Sequence, residues 1–296
     1  MNVAPDINQK MQTSDGICLS YSISRCSNAK YTLVMLHGLA SNQTRWSEFL
    51  NHTELTSRMN LLRMDLRGHG CSMSYGHIGH KIWQQDLNAM LQQESLDKII
   101  LVGHSMGAQL ALHYAAAHPS KVKGLILIDP TLPKKLKGWL AIARRLRYPL
   151  WFVIAVMRLS YKLVNRHKTY PNRDLHALDT KTRKLMARES RDIIADLYSS
   201  PKEDLKYMPL VNYLQDIYAS TGRLPDLSKI HCPVKVLLSK DSSIVDTANI
   251  KDYFSPDIPL EISEINANHW PLTEKPEETQ RIIDGWCLNQ LASDTP

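Results

Sequence analysis

The sequence predicts an α/β fold: a mostly parallel central sheet with helices on both faces and a long helical insertion. Three observations carry this. Short apolar runs rich in Val, Ile and Leu alternate with helix-forming stretches up to about residue 131, and the alternation resumes after residue 229. One of those runs, Lys98-Ile99-Ile100-Leu101-Val102, passes into Gly103-His104-Ser105-Met106-Gly107 and then, from Gln109 to Ala117, into helix formers. Between the two alternating parts, Leu132 to Ser228 reads as mostly helical, punctuated by Pro149, Pro171, Pro201 and Pro209.

Taken in order, residues 1–14 read as a flexible polar arm. Ile17 to Ser24 alternates apolar and polar residues, as an exposed antiparallel strand does. Tyr31 to Leu36 is a continuous apolar run, the mark of a strand buried on both faces, and it ends in His37-Gly38-Leu39. A helix pattern begins at Thr44. Asn60 to Leu66 gives the next strand, ending in Asp65-Leu66-Arg67-Gly68-His69-Gly70. Ile82, Trp83, Leu87, Met90 and Leu91 then recur at helical spacing. After the Ser105 strand and its helix, Val122 to Ile128 is a buried strand ending at Asp129. Beyond the insertion come a strand at Val234 to Ser239, ending in Lys240-Asp241, a short helix from Asp246 to Phe254, and a strand at Leu260 to Ile265. That strand leads into Asn268-His269-Trp270, and a helix from about Glu274 to Leu291 closes the chain. The expected organisation is an arm at 1–14, a main α/β domain from 15–131 and 229–296, and an inserted helical cap at 132–228.

Strand, G-x-S-x-G turn and helix together form the context of a nucleophile elbow. Ser105 would sit at the top of a strained turn, and the two glycines keep that turn uncrowded. The following helix would aim its N-terminus at the reacting oxygen. Serine chemistry also needs a base and a carboxylate to orient it. His269 is the histidine at a late strand end, and Asp241 holds the matching place after the preceding strand. Asp129 is a rival carboxylate. The chain order Ser, Asp, His with a late acid favours Asp241 and leaves Asp129 to cap the turn that enters the insertion.

With these residues in view, the chain resembles the α/β-hydrolase-fold serine hydrolases, esterase- and lipase-like and carrying a helical cap. The resemblance covers roughly residues 16–131 and 229–290 and rests on His37-Gly38, Asp65 to Gly70, the Gly103 to Gly107 elbow, Asp241 and His269. It implies an oxyanion hole from the backbone N–H groups of Leu39 and Met106, each donor contributing about 3–4 kcal/mol in comparable systems. It also implies that His37 and the Asp65 to Gly70 loop are structural. Ala108 stands where many relatives have a second glycine, a change a helix start tolerates. A serine nucleophile separates the chain from the dehalogenase and epoxide-hydrolase branches, which use aspartate.

The bulk properties narrow the function. With 296 residues, 43% of them hydrophobic, the chain can bury a large core. Its five cysteines are scattered, with no C-x-x-C pair, so neither a zinc site nor a disulfide framework is indicated, and no cofactor or metal is expected. The N-terminus lacks an apolar segment of the secretory kind. The longest apolar run, Tyr148 to Met157, is about half a membrane span. A cytoplasmic location is the default expectation, with a membrane-peripheral one as its variant.

The net charge of +7 is unevenly spread: Lys134 to Arg191 holds sixteen Lys or Arg against three Asp or Glu, which leaves the rest of the chain acidic. Basic residues there interleave with Trp139, Trp151, Phe152, Val153, Ile154 and Met157. One reading is a basic amphipathic surface for anionic membranes. The other is a lid whose apolar side covers the active site while its charges are merely solvated. Nucleic-acid binding is not expected. The function expected is hydrolysis of carboxylic esters with acyl-chain substrates through an acyl-enzyme on Ser105. The alternatives are a C–C bond hydrolase or acyltransferase on the same triad, or a receptor-like module that only binds its ligand.

Overall fold

A computed structural model describes residues 6–164, 168–188, 193–242, 244–246 and 250–293. The strands are β1 (Ile7–Gln12), β2 (Cys18–Ser24), β3 (Thr32–Leu36), β4 (Asn60–Met64), β5 (Ile99–His104), β6 (Val122–Ile128), β7 (Val234–Ser239) and β8 (Leu260–Ile265). They form one sheet in the order β1-β2-β4-β3-β5-β6-β7-β8. β1 and β2 run antiparallel to their neighbours, and every pairing from β4 to β8 is parallel.

The helices of the body are α1 (Ser47–His52), α2 (His80–Gln93) and α3 (Met106–Ala117). Between β6 and β7 lie α4 (Gly138–Arg145), α5 (Arg147–Val164), α6 (Leu175–Met186), α7 (Ile193–Tyr198), α8 (Pro201–Asp204) and α9 (Leu210–Ser220). α10 (Pro271–Glu274) and α11 (Pro276–Ser293) follow the last strand. The expected helix at Asp246 to Phe254 is a single 3₁₀ turn at Ile250–Tyr253, with 247–249 outside the described residues.

The two-residue period of the strands sorts the core. Val34, Leu36, Leu62, Leu101 and Leu125 point to one face, against Trp83, Leu87 and Met90 of α2 and Leu110 and Tyr114 of α3. Leu33, Met35, Leu61, Ile100 and Ile126 point to the other, against Trp46, Phe49, Ile283 and Trp286. Strands buried on both faces must be apolar at every position, which is why these runs carry so strong a strand signal.

The N-terminal arm is not free. Residues 7–12 form β1, registered against β2 from Ile7↔Ile23 to Gln12↔Cys18. The turn that joins them is closed by Gly16 N–H donating to the Thr13 carbonyl (2.9 Å). Met11 is the buried apolar side chain of this edge strand, while Ile7 stays exposed, so its alternation is masked by Asn8, Gln9 and Lys10.

The helical segment between β6 and β7 is fastened to the body by buried polar contacts. Arg45 Nη1 donates to Asp179 Oδ1 of α6 at 2.6 Å and to Thr273 Oγ1 at 2.6 Å. His69 Nε2 lies 2.7 Å from Asp216 Oδ2 of α9, with both side chains buried. Asn42 Nδ2 donates to the Arg173 carbonyl at 2.7 Å.

Candidate active site

β3 lies between β4 and β5, so the chain leaves it in one direction and returns on the other side. Such a switch point opens a crevice at the carboxyl ends of the strands. His37-Gly38-Leu39 leaves β3 there, and Ser105 follows β5. The Ser105 backbone, at φ 55° and ψ −113°, is in the strained region expected of the elbow. Close approach explains the flanking glycines. A Cβ on Gly103 would lie 2.4 Å from the Gly107 carbonyl carbon, and one on Gly107 would lie 2.3 Å from the Leu36 carbonyl oxygen. These contacts also press the β3 loop against the start of α3.

The structure brings Ser105 and His269 together. His269 Nε2 is 3.1 Å from Ser105 Oγ, and both residues are buried, at 2% and 8% exposure. The loop holding His269 is clamped from below. Glu274 Oε1 accepts from the backbone N–H of Asn268 (2.9 Å) and Trp270 (3.2 Å), and Oε2 accepts from Asn268 (3.0 Å). His104 Nε2 donates to the His269 carbonyl at 2.8 Å. Burial holds the His269 ring well below its ordinary pKa and pushes His104 down to about 4, so both imidazoles are neutral at pH 7.

The carboxylate beside His269 is Asp129, not Asp241. Asp129 Oδ2 lies 3.8 Å from His269 Nδ1, and Asp129 is fully buried. Its backbone takes φ 42°, a conformation uncommon outside glycine, which the strand-end N–H donating to the Leu237 carbonyl (2.9 Å) helps to hold. Ser239 donates to it twice, from its backbone N–H to Oδ1 at 2.7 Å and from its hydroxyl to Oδ2. Burial raises the Asp129 pKa to about 7.

Asp241, by contrast, is exposed. Past Ser239 the chain follows β8: Lys240 N–H donates to Ile265 O (2.9 Å) and Asp241 N–H to Ala267 O (3.2 Å), which carries the Asp241 side chain out to solvent. At 3.8 Å the Asp129–His269 contact is longer than a hydrogen bond, and among the described residues Nδ1 has no hydrogen-bond partner. Catalytic hydrogen bonds commonly tighten only when substrate is bound.

Leu39 sits in the wall of the cavity over Ser105, and Met106 opens α3, where a helix leaves its first N–H groups without internal acceptors. His37 donates from Nδ1 to Gly38 O (2.8 Å) and accepts at Nε2 from Leu66 N–H (3.0 Å). Both ring nitrogens are thus committed to holding two loops. The cavity over Ser105 is narrow, about 60 Å³, and the helices between β6 and β7 supply Trp139, Leu140, Tyr198 and Tyr213 to its walls. Larger hollows lie away from Ser105, where the insertion meets residues 77–81 and 253–255 of the body.

Sequence reasoning missed Ser239, Glu274 and His104. Pro271 with Glu274 in the first turn marks a helix start and was the available signal for the Glu274 clamp. Only the register of β6 on β7, which pairs Ile128 with Leu237, puts Ser239 next to Asp129.

The fold defines a class, the α/β hydrolases. The alpha/beta hydrolase fold family model matches residues 31–276, and the chain belongs to that family. Among curated relatives, the zebrafish (Danio rerio) sn-1-specific diacylglycerol lipase ABHD11 is 27% identical over 122 residues, or 41% of this chain and 38% of that protein. The match thus spans little more than a third of the relative. Among solved structures, an esterase from Exiguobacterium antarcticum superposes with a TM-score of 0.66 at 17% identity, covering 95% of this chain and 99% of that one. The enol-lactonase from Burkholderia xenovorans superposes with a TM-score of 0.65 at 16% identity, covering 95% and 100%.

Proposed function

We propose that the protein hydrolyses carboxylic esters through an acyl-enzyme on Ser105, with His269 as base and Asp129 as the orienting acid. The observation that carries this is the 3.1 Å approach of His269 Nε2 to Ser105 Oγ at a strained elbow beneath an apolar cap. Ser105 Oγ attacks the ester carbonyl carbon while Nε2 takes its proton. The carbonyl oxygen gains negative charge and is met by the N–H groups of Leu39 and Met106. Collapse expels the alcohol, which receives the proton from His269. Water, activated by the same ring, then attacks the acyl carbonyl and returns Ser105 to its free state. Asp129 fixes the Nδ1–H tautomer and balances the charge of the imidazolium.

The relatives' names, a diacylglycerol lipase and an esterase, agree with an ester of a fatty or short acyl acid. A cavity of about 60 Å³ under a closed cap favours short acyl groups unless the cap shifts. The test is steady-state hydrolysis of p-nitrophenyl esters across acyl length. Turnover of the acetate and butyrate, falling with chain length in the absence of a lipid surface, is the expected result. An enzyme inert to every ester in the series overturns the assignment.

A further inference from the structure

α5 is apolar on both sides. One side packs on α9 and on the 75–77 loop: Leu150, Ile154 and Tyr161 are partly or wholly buried, together with Arg147 and Arg158, and Tyr161 lies against Tyr75. The opposite side carries Tyr148, Phe152, Val156, Leu159 and Leu163, recurring every three or four residues and all exposed, Tyr148 at 87% and Leu163 at 75%. Trp151 and, on α4, Trp139 and Ile142 extend the patch. Of the two readings of the insertion, these exposed side chains favour the amphipathic surface. A helix apolar all round is normally buried, and an exposed apolar patch of this extent marks a contact surface.

Charge selects the occupant. No Asp or Glu occurs between Asp129 and Asp174, while eleven Lys or Arg do. Beside the patch, a cavity of about 1100 Å³ is lined by Lys134, Arg144, Arg145, Arg147 and Arg223, with Asp226 as its acidic member. A second copy docking through the same face would oppose these cations to one another. An anionic bilayer offers both an apolar layer and complementary charge. Among the described residues no helix is long and apolar enough to cross a membrane, so the fit is to a helix lying in the interface.

We propose that the outer face of α4 and α5 docks on anionic phospholipid surfaces, with Tyr148, Phe152, Val156, Leu159 and Leu163 inserted and Arg145 and Lys162 at the headgroups. Trp139 belongs to this face and also to the wall over Ser105, so docking bears directly on the cap beside the site. The proposal stands whether or not the chain hydrolyses esters, because it rests on the outer surface.

The test is co-sedimentation of the full chain with vesicles of phosphatidylcholine alone and of phosphatidylcholine with phosphatidylglycerol, at low and high salt. Binding to the anionic vesicles only, weakening as salt shortens the Debye length, is expected. Trp151→Ser with Phe152→Ser should abolish it. Arg145→Gln with Lys162→Gln should weaken it on the order of twentyfold, since each basic residue near such a surface strengthens binding about fivefold. Both variants should keep the wild-type circular dichroism spectrum, which separates lost docking from lost fold. Equal, negligible binding to both vesicles overturns the proposal. So does a dimer in sedimentation velocity that Trp151→Ser with Phe152→Ser dissolves, because the face would then belong to a second copy.

Discussion

Replacing Asp129 with Asn should cripple turnover, and the same change at Asp241 should not. Asp129 Oδ2 faces His269 Nδ1 and is held there by Ser239 from two directions. The amide keeps the volume and one acceptor, so the fold is retained. It also presents an N–H₂ group where a carboxylate stood, which favours the wrong imidazole tautomer and leaves the imidazolium unbalanced. Loss of the acid costs on the order of 10⁴ in rate in a well-studied triad, or about 5.4 kcal/mol of transition-state stabilisation. Asp241 is exposed and meets its neighbours here through its backbone, so Asp241→Asn should stay within about twofold of wild type, the ordinary range for surface substitutions. The assay is kcat for p-nitrophenyl acetate, with circular dichroism to verify folding. A larger loss in Asp241→Asn than in Asp129→Asn would refute the assignment of the acid.

Two other outcomes follow from the same geometry. The rate needs Asp129 charged and His269 neutral. Burial raises Asp129 to about 7 and keeps His269 well below its ordinary range, so the pair gives up its last proton near 7. Thus kcat/KM should rise with pH through about 7 and level off above it; a profile flat down to pH 5 contradicts this. Arg45→Met removes the cation from buried Asp179 and should cost about 3–5 kcal/mol, lowering the melting temperature by roughly 10 °C. Adding Asp179→Leu should restore most of that loss, and a double variant no more stable than the single one argues against the pair as the staple between cap and body.

Much of this architecture was legible before any coordinates. Strands such as Leu33 to Leu36 and Ile99 to Val102 are buried on both faces, so every residue reports the strand. The elbow is equally local, since Gly103, Ser105 and Gly107 act within one turn. The carboxylate that lies beside His269, the acid proposed here, was not legible. Asp129 and Asp241 both follow strand ends, and the difference lies in a positive φ at Asp129 and in the β6–β7 register that delivers Ser239. The sequence left two readings of α5 open for a related reason: apolar residues on both sides of a helix do not say which side the protein keeps. β1 was masked by the polar residues that an edge strand exposes.

The central claim, a nucleophilic Ser105, is tested most directly with a fluorophosphonate probe and peptide mapping. The label should fall on Ser105, be absent from Ser105→Ala, and form much more slowly in His269→Ala. Ester turnover in Ser105→Ala should drop on the order of 10⁶-fold, the loss seen when a triad serine is removed. A label on another residue, or a Ser105→Ala variant that keeps more than about 1% of wild-type turnover, would contradict the account.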